Sequence, residues 1–372
     1  MRSTLVTVAV SAAVMLAAPW SSNGQSTSIK TSGTASPPTR RFAADSFWVR
    51  QWERGGANED DLLIEPRATK VSGDLVVVLD LGTREVIGFD ANTGQTRFVK
   101  AARGTGPGEF KRPHELLRSA SGFGVLDAET ARISVFSTNG ALLWDATVPG
   151  AAFAEALCAP NASRVLVKRS GKVDALLLVD STGKQLATYT LPVNVSEGAS
   201  FAASAKLAGP TSSGCIVVPL FGRSWFALGA KGFIAYPLID PGPEPTIKAK
   251  DKVLARDGRD KTISRVEMVS ESPVSHVAMV RGDTLIIKAT PTKPPLVDVF
   301  DYYLLPSGRY VHSRRAFGGG SSMDVGSNGV FYATIITRND SRLVAMKPSR
   351  TPTPTAPSAA PKSPTAASAK KR

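Results

Sequence analysis

Short apolar runs alternate with glycine-containing turns along most of this chain, and this pattern predicts β-strands. The apolar positions of Val78–Asp80 and Val86–Phe89 recur at Val125–Asp127 and Ile133–Phe136, 47 positions later and without a gap. Each second run is followed by an Asn- and Gly-containing turn. A repeat of this length, built from short β runs and Gly turns, is typical of propeller blades.

The repeating unit can be followed six times along the chain. The clearest runs of the six predicted blades span Leu62–Lys100, Pro113–Val148, Val165–Lys184, Cys215–Gly232, Thr284–Gly308 and Val330–Met346. The last blade lacks an outer strand, which the unassigned run Ser46–Trp52 is the right size to supply. Closing the ring in this way removes two free sheet edges. We therefore predict an all-β fold, a six-bladed β-propeller of four-stranded antiparallel blades closed by an N-terminal strand.

One region does not fit the repeating unit. Residues 239–265 are too many for a single turn and too charged for a core. We expect either a long crossover or an excursion from the fourth or fifth blade.

The N-terminus has the pattern of an export signal. Arg2 is the single charge before Leu5, and Leu5–Ala18 is almost wholly apolar. This span is too short to cross a bilayer, since a spanning helix needs about 20 residues. We predict cleavage between Ala18 and Gln25, with an uncleaved anchor as the alternative. No cysteine lies near the cleavage region, which disfavours a lipoprotein.

These features divide the chain into four parts. We predict a signal peptide in residues 1–25, a flexible lead-in in 26–41, the propeller in 42–347 and a disordered Pro/Thr/Ala/Lys tail in 348–372. The expected location is secreted or periplasmic, in a bacterial envelope, with no transmembrane segment after cleavage.

The formal net charge of +14 arises mostly in the two flanks. Residues 1–41 and 347–372 hold ten of the 45 basic residues and no acidic residue, so the body carries 35 basic against 31 acidic residues. Nucleic-acid binding needs basic residues gathered on one folded face, so we expect no nucleic-acid partner. The basic tail is either a solvated extension or a loose tether to anionic envelope surface.

The chain has two cysteines, Cys158 and Cys215, in adjacent predicted blades. After export they would meet an oxidising compartment, which makes a disulfide one alternative. The other alternative is a pair of buried free thiols. Their spacing matches no zinc or redox motif.

The best-preserved blade resembles a known family. Arg103–Phe110 followed by Pro113, Gly122, Asp127 and Phe136 resembles an NHL-type blade, and specifically the exported bacterial six-bladed β-propeller proteins. The resemblance implies a group that includes ligand-binding and protein-binding propellers, and a few metal-dependent lyases and lactonases. It therefore implies fold much more than chemistry.

Two local features that could be mistaken for sites have structural interpretations. The run Gly104–Gly108 is glycine-rich, but no helix N-terminus with Lys-Ser/Thr follows it, as a phosphate loop requires. We expect a tight connection between blades, with Phe110 packed between sheets. Asp80 and Asp127 end matching strands before short turns, where an aspartate commonly accepts hydrogen bonds from turn amides.

The predicted channel of the ring collects the candidate functional residues. His114 and His276 take similar places on predicted innermost strands, which line the channel of a propeller. The corresponding segments of other blades add Arg67, Glu115, Glu155 and Asp324. One interpretation is a metal site, with His114 and His276 as ligands of a divalent metal such as calcium or zinc. The other is a set of polar residues in a wet channel that needs no cofactor.

These observations favour a monomeric, non-enzymatic binding protein over an enzyme. The chain has three histidines and no Gly-x-Ser-x-Gly elbow, and rigid blades hold variable loops in fixed positions, which suits recognition. We predict that one rim of the ring binds a protein, a peptide or a glycan. The alternatives are a metal-dependent lyase or lactonase with its site in the channel, and a structural envelope component held by its tail.

Overall fold

Short runs rich in β-branched and other apolar residues, bounded by glycine-containing turns, form β-strands through most of the described part of the chain. The computed structural model describes residues 30–31, 40–43, 47–56, 63–100, 104–148, 150–151, 154–169, 176–190, 205–211, 214–229, 232–239, 246–256, 259–269, 274–291, 297–305, 307–318, 320, 322–337 and 340–349. The predicted signal peptide and the tail beyond residue 349 lie outside these ranges. Within these ranges, no helix has the length and apolar character needed to cross a membrane.

The strands group into blades in chain order. Two strands precede the first blade: β1 (Lys30–Thr31) and β2 (Phe47–Gly55). The first blade has β3 (Pro66–Ser72), β4 (Leu75–Asp80), β5 (Glu85–Asp90) and β6 (Thr96–Lys100), and the second has β7 (Pro113–Ser119), β8 (Gly122–Asp127), β9 (Arg132–Ser137) and β10 (Leu142–Thr147). The third has β11 (Ala154–Asn161), β12 (Arg164–Arg169), β13 (Leu176–Asp180) and β14 (Gln185–Tyr189), and the fourth has β15 (Ala205–Thr211), β16 (Gly214–Pro219), β17 (Ser224–Gly229) and β18 (Gly232–Pro237). After the hairpin β19 (Thr246–Arg256) and β20 (Arg259–Val269), the fifth has β21 (Val274–Arg281), β22 (Thr284–Thr290), β23 (Val299–Leu304) and β24 (Arg309–Arg315), and the sixth has β25 (Ser322–Val325), β26 (Phe331–Ile336) and β27 (Ser341–Ser349).

The blades form a closed ring. The innermost strands β3, β7, β11, β15, β21 and β25 contact one another in that order, and β25 contacts β3 to complete the circle. Strand β2 pairs with β27, with Phe47 opposite Ser349, and so supplies the outer strand of the sixth blade. This confirms the predicted six-bladed, four-stranded, antiparallel propeller and its closure by an N-terminal strand.

Apolar side chains fill the spaces between neighbouring blades. Between the first and second blades, Val77, Phe110, Phe123 and Phe136 belong to one buried cluster. The rings of Phe123 and Phe136 stack with their centroids 5.2 Å apart. The glycine-rich run is therefore a connection that places Phe110 between two sheets, as the sequence indicated.

The region that did not fit the repeat is an excursion. Strands β19 and β20 pair with each other as a separate two-stranded antiparallel sheet. Their pairing runs from Thr246 opposite Val269 to Arg256 opposite Arg259. Of the two alternatives, a hairpin between the fourth and fifth blades is the one that forms.

Parts of the predicted lead-in are bound to the outside of the ring. Strand β1 pairs in parallel with β18, as a short fifth strand at the edge of the fourth blade. Further along, Phe42 bridges to Ser313 of the fifth blade. The Arg40 guanidinium donates to the Asp301 carboxylate at 3.1 and 3.2 Å, and the two side chains are only 8% and 3% exposed. Backbone pairing thus holds β1 and Phe42 against the ring, and a buried ion pair holds Arg40.

A disulfide links the third and fourth blades. Cys158 of β11 and Cys215 of β16 are bonded, with their Cα atoms 6.1 Å apart. Both residues are buried in the apolar cluster between these blades. Of the two alternatives left open by the sequence, the structure has the disulfide.

Candidate functional site

The central channel opens on the face of the ring where the innermost strands begin, which we call the entry face. A cavity of about 430 Å³ lies there. All six blades contribute to its wall, and one residue from each, in chain order, is Arg67, His114, Leu157, Lys206, His276 and Ser322. Deeper in the channel, a space of only about 10 Å³ remains between Lys70, Arg118 and Asp324. The entry-face cavity is thus a pocket that narrows sharply.

A shared backbone irregularity places several polar residues at the cavity. The pairing of the innermost with the second strand is interrupted by one residue at Arg67, His114 and His276, and again at residue 155 in the third blade. A β-bulge leaves its extra residue unpaired and re-aims the side chain. Arg67 and His114 are 47 positions apart, the period of the sequence repeat. In the first, second and fifth blades this bulge therefore directs one side chain into the cavity: Arg67, His114 and His276.

The structure gathers four of the six channel candidates in this cavity: Arg67, His114, Glu115 and His276. Position 155 occupies the equivalent bulge of β11, but the Glu155 side chain lies outside the described part of the structure. The sixth candidate, Asp324, lies in the narrow part below.

Asp324 has a structural role in closing the ring. Its Oδ2 accepts a hydrogen bond from the amide of Val71 at 2.8 Å, and its Oδ1 accepts one from the amide of Val325 at 2.9 Å. Two residues earlier in the same strand, the hydroxyl of Ser322 accepts from the amide of Thr69 at 2.9 Å. Two side chains of β25 thus bind the backbone of β3, where the last blade meets the first.

Sequence reasoning missed two cations of the cavity, Lys70 and Lys206. Lys206 is the second residue of β15, the same place that Arg67 takes in β3 and His114 in β7. This position was a usable signal, but the start of β15 was not recognised because the fourth blade was identified only from Cys215 onward. Lys70 comes after the bulge at Arg67 in β3. The bulge shifts the alternation of inward- and outward-facing side chains, so the sequence alone does not show that Lys70 faces the channel.

The charges lining the cavity are unbalanced. Arg67, Lys70 and Lys206 form no ion pair with any carboxylate of the described residues. Glu115 is the one carboxylate among the described residues that line the cavity. Its Oε1 accepts from the neighbouring amide of Leu116 at 3.0 Å. The described part of the entry-face cavity is therefore cationic.

His276 is fixed by a chain of hydrogen bonds that sequence reasoning also missed. Its Nε2 lies 2.7 Å from the hydroxyl of Thr290, which donates to Oδ1 of Asp298 at 2.6 Å. The ammonium of Lys288 pairs with Oδ2 of Asp298 at 3.1 Å. Since the single proton of Thr290 goes to the carboxylate, Nε2 of His276 must be the donor to Thr290. A neutral His276 then has an unprotonated Nδ1 that can accept a hydrogen bond.

The surroundings of His276 keep the ring neutral. Partial burial between strands lowers the pKa of His276 below its ordinary value of 6.5. The charge of Asp298 opposes this shift, while Lys288 and Lys206 add to it. Burial raises the pKa of the Asp298 carboxyl, but hydrogen bonds from Thr290 and Lys288 outweigh it and bring that pKa below 3.8. At neutral pH the network holds an ionised Asp298 and an uncharged His276.

These residues do not form a good site for a divalent cation. Among the residues that the structure describes, no group of three or more His, Cys, Asp and Glu is placed to hold a metal ion. His114 and His276 share their cavity with Arg67, Lys70 and Lys206. A metal site needs converging neutral or anionic donors, and three neighbouring cations oppose a further positive charge. The donors among the described residues of the cavity do not fit the zinc or calcium alternative.

Comparisons with known proteins bear on the fold. No protein-family model matches the chain, and no curated protein matches it either. A candidate exported protein of Bacteroides fragilis is similar in structure, with a TM-score of 0.50 and 11% identity over 86% of this chain and 98% of that chain. At this identity the likeness shows the propeller fold alone, and the NHL-type resemblance remains a prediction.

Two further solved structures are similar at a lower level. A DUF4221-family member of Bacteroides vulgatus has a TM-score of 0.47 and 10% identity, over 82% of this chain and 99% of that chain. The virginiamycin B lyase of Staphylococcus aureus has a TM-score of 0.47 and 11% identity, over 81% of this chain and 99% of that chain.

Proposed function

We propose that this chain is an exported, non-enzymatic binding protein that takes its ligand at the entry face of the propeller. The observation that carries the proposal is the cavity of about 430 Å³ to which every blade contributes. Ligand pockets commonly measure about 300–1,000 Å³ and place a few polar groups among apolar ones. Here Arg67, Lys206 and His276 stand beside Leu116 and Leu207.

The rigidity of the blades supports recognition at this face. Each polar side chain of the cavity stands on an innermost strand that is paired with the next strand of its own blade. Binding groups on strands keep their relative positions better than groups on loops. The end of a glycan, a peptide or a protein loop presented to the ring would meet a preformed surface.

Export is supported by two features of the chain. The first is the apolar span Leu5–Ala18 after Arg2, which has the pattern of a signal peptide. The second is the disulfide between Cys158 and Cys215, since such bonds persist mainly in oxidising compartments. N-terminal sequencing of protein recovered from the periplasm or medium tests this, and a mature chain that begins at Met1 would overturn it.

The site is tested by filling the cavity without removing a buried hydrogen bond. Ile336 lines the cavity and is 43% exposed, so Ile336→Trp adds bulk at the mouth. Leu143 of β10 is similarly exposed, at 48%, and is not among the residues of the cavity. Leu143→Trp is therefore the matched control.

Wild type and both variants would be applied to arrays of glycans and of peptides, after circular dichroism shows that all three are folded. We expect binding that Ile336→Trp abolishes and Leu143→Trp preserves. Binding that survives in both variants would place the ligand elsewhere on the ring.

A further inference from the structure

The charges of the entry-face cavity define the kind of ligand it would hold. We propose that the ligand is a small organic anion, whose carboxylate or phosphate is held by Arg67, Lys70 and Lys206 and whose hydroxyl or amide donor is received by His276. This inference rests on the proposed binding function and gives it a ligand class.

The three cations face the cavity from opposite sides of the ring. Arg67 and Lys70 belong to β3 of the first blade, and Lys206 belongs to β15 of the fourth. In a ring of six blades, the first and fourth lie across the channel from each other. An anionic group between them would receive donors from both sides, and the Arg67 guanidinium can bind a carboxylate or phosphate through two N–H groups.

These cations lack counter-charges within the described part of the protein. None of the three forms an ion pair there, although other basic residues do so, such as Lys111 with Glu129 and Arg97 with Asp90. Cations gathered in a concave site raise the local concentration of anions. Lys70 is half-buried, and a partly desolvated ammonium is stabilised by an opposite charge. An anionic ligand would supply that charge.

His276 adds a second requirement. Its Nε2–H is taken by Thr290, and Asp298 and Lys288 fix Thr290 in turn. Nδ1 has no partner among the described residues, so it is left as an acceptor beside the cations. An anion without a hydrogen-bond donor, such as chloride or sulfate, would leave this acceptor unused. A sugar acid, a sugar phosphate or another anion that carries hydroxyl or amide donors would use both features.

The shape of the channel limits the size of the ligand. Below the cavity, the space of about 10 Å³ is close to the minimum of about 10–15 Å³ that a single water needs. A polymer chain therefore cannot thread through the ring. The ligand is a small molecule, or the anionic end of a larger one, that enters from one face.

The test uses a matched series of sugars: glucuronate, glucose 6-phosphate and neutral glucose. The mature full-length protein would be titrated with each by isothermal calorimetry, at low and at high salt. We expect one or both anions to bind and glucose not to bind, with weaker affinity at high salt because salt screens the charges. The two anions distinguish a carboxylate from a phosphate ligand.

Two variants assign the binding to the cavity. Lys206→Gln removes one of the three cations, and we expect at least about tenfold weaker binding because a charge-assisted hydrogen bond is lost. Lys111→Gln removes one positive charge from the same face but outside the cavity. It should leave the affinity unchanged. Circular dichroism and melting temperature would show that both variants are folded.

The outcomes separate this inference from the proposed function. Anion binding that Lys206→Gln weakens and Lys111→Gln spares supports both. A second outcome is a neutral array ligand whose binding is lost in Ile336→Trp and kept in Lys206→Gln. That result would overturn the inference of an anionic ligand but leave the proposed function standing. Failure of folded protein to bind any sugar of the series or any member of the glycan and peptide arrays would overturn both.

Discussion

Asp80 and Asp127 anchor the first and second blades through the same four hydrogen bonds. Each carboxylate accepts from two amides of the connection that enters its blade and from two amides of the turn that follows it. The donors are Ile64, Glu65, Gly82 and Thr83 for Asp80, and Lys111, Arg112, Glu129 and Thr130 for Asp127. Every pair of equivalent donors is 47 positions apart. The sequence repeat is therefore preserved in individual hydrogen bonds, which tie together the loops of the entry face.

The first prediction concerns the anchor of the second blade. Asp127 is buried, so Asp127→Ala would leave partly buried amide donors unsatisfied. We expect the free energy of unfolding to fall by about 2–4 kcal/mol, since each unsatisfied buried donor costs about 1–3 kcal/mol. Urea denaturation measures the loss. Asp283→Ala, at an exposed turn position, should change it by no more than about 0.5 kcal/mol, and equal losses in the two variants would contradict the assignment.

The second prediction concerns two residues with left-handed backbone. Arg84 has a φ of 60° and Ala131 a φ of 52°, and they occupy the same turn position of the first and second blades. Non-glycine residues in this region are strained by about 1–2 kcal/mol, a strain that glycine avoids. We expect Arg84→Gly to stabilise the protein by about 0.5–1 kcal/mol. Thr83→Gly, one residue earlier, should not stabilise it, and a gain there of equal size would argue against the backbone explanation.

The architecture could be predicted from sequence because its signals are local. Apolar runs and Gly turns indicate strands and hairpins from segments of about ten residues. The 47-residue repeat then relates the first blade to the second. The closing strand was also found, because a last blade without an outer strand leaves an unpaired edge. The attachment of Arg40 to Asp301 was not predicted, because it joins residues 261 positions apart with no local pattern.

The candidate site could be predicted only in part, for a related reason. Arg67 and His114 lie near the start of strands that the 47-residue repeat relates directly, and His276 takes a similar place in the fifth blade. Asp298 was missed because it lies between strands and is hydrogen-bonded to Thr290 instead of lining the cavity itself. The disulfide depended on the distance between β11 and β16, which two isolated cysteines cannot reveal.

The third prediction concerns the buried ion pair that binds the N-terminal segment to the fifth blade. Asp301 also accepts from the hydroxyl of Ser313 at 2.5 Å, which Tyr310 contacts in turn at 2.7 Å. Arg40→Gln would leave the Asp301 carboxylate buried without its cation. We expect a loss of about 3 kcal/mol in the free energy of unfolding.

The exposed pair of Arg50 with Glu53 provides the control for this prediction. Its arginine side chain is 58% exposed, and such surface pairs contribute about 0–1 kcal/mol. Arg50→Gln should therefore have little effect in the same denaturation experiment. A loss in Arg40→Gln no larger than in Arg50→Gln would mean that the N-terminal segment does not depend on the Asp301 contact.

The fourth prediction concerns the bond between Cys158 and Cys215, which are 57 positions apart. Removing a cross-link over a loop of this length releases unfolded-chain entropy worth about 2–4 kcal/mol. We expect the free energy of unfolding of the double variant Cys158→Ala/Cys215→Ala to be lower by that amount, which urea denaturation measures. Thiol titration of denatured wild type should find no free thiol before reduction and two after it. Two thiols before reduction would show that the cysteines are not paired.

The fifth prediction is the titration of His276, followed by the NMR signals of its ring. We expect a pKa below 6.5, because partial burial disfavours the charged ring. Asp298→Asn removes the charge that opposes this shift, so the pKa should fall further, whereas Lys206→Gln removes a repelling cation and should raise the pKa. Asp283→Asn, outside the network, should leave it unchanged.

The same shift makes stability depend on pH. Since the pKa of His276 is lower in the folded than in the unfolded chain, the unfolded chain binds more protons at pH values between the two. The contribution of His276 to stability is therefore complete above about pH 6.5 and declines as the pH falls toward the folded pKa. A wild-type pKa at or above 6.5 would contradict burial as the dominant effect, and a pKa that changes in neither Asp298→Asn nor Lys206→Gln would show that these two charges do not act on the ring.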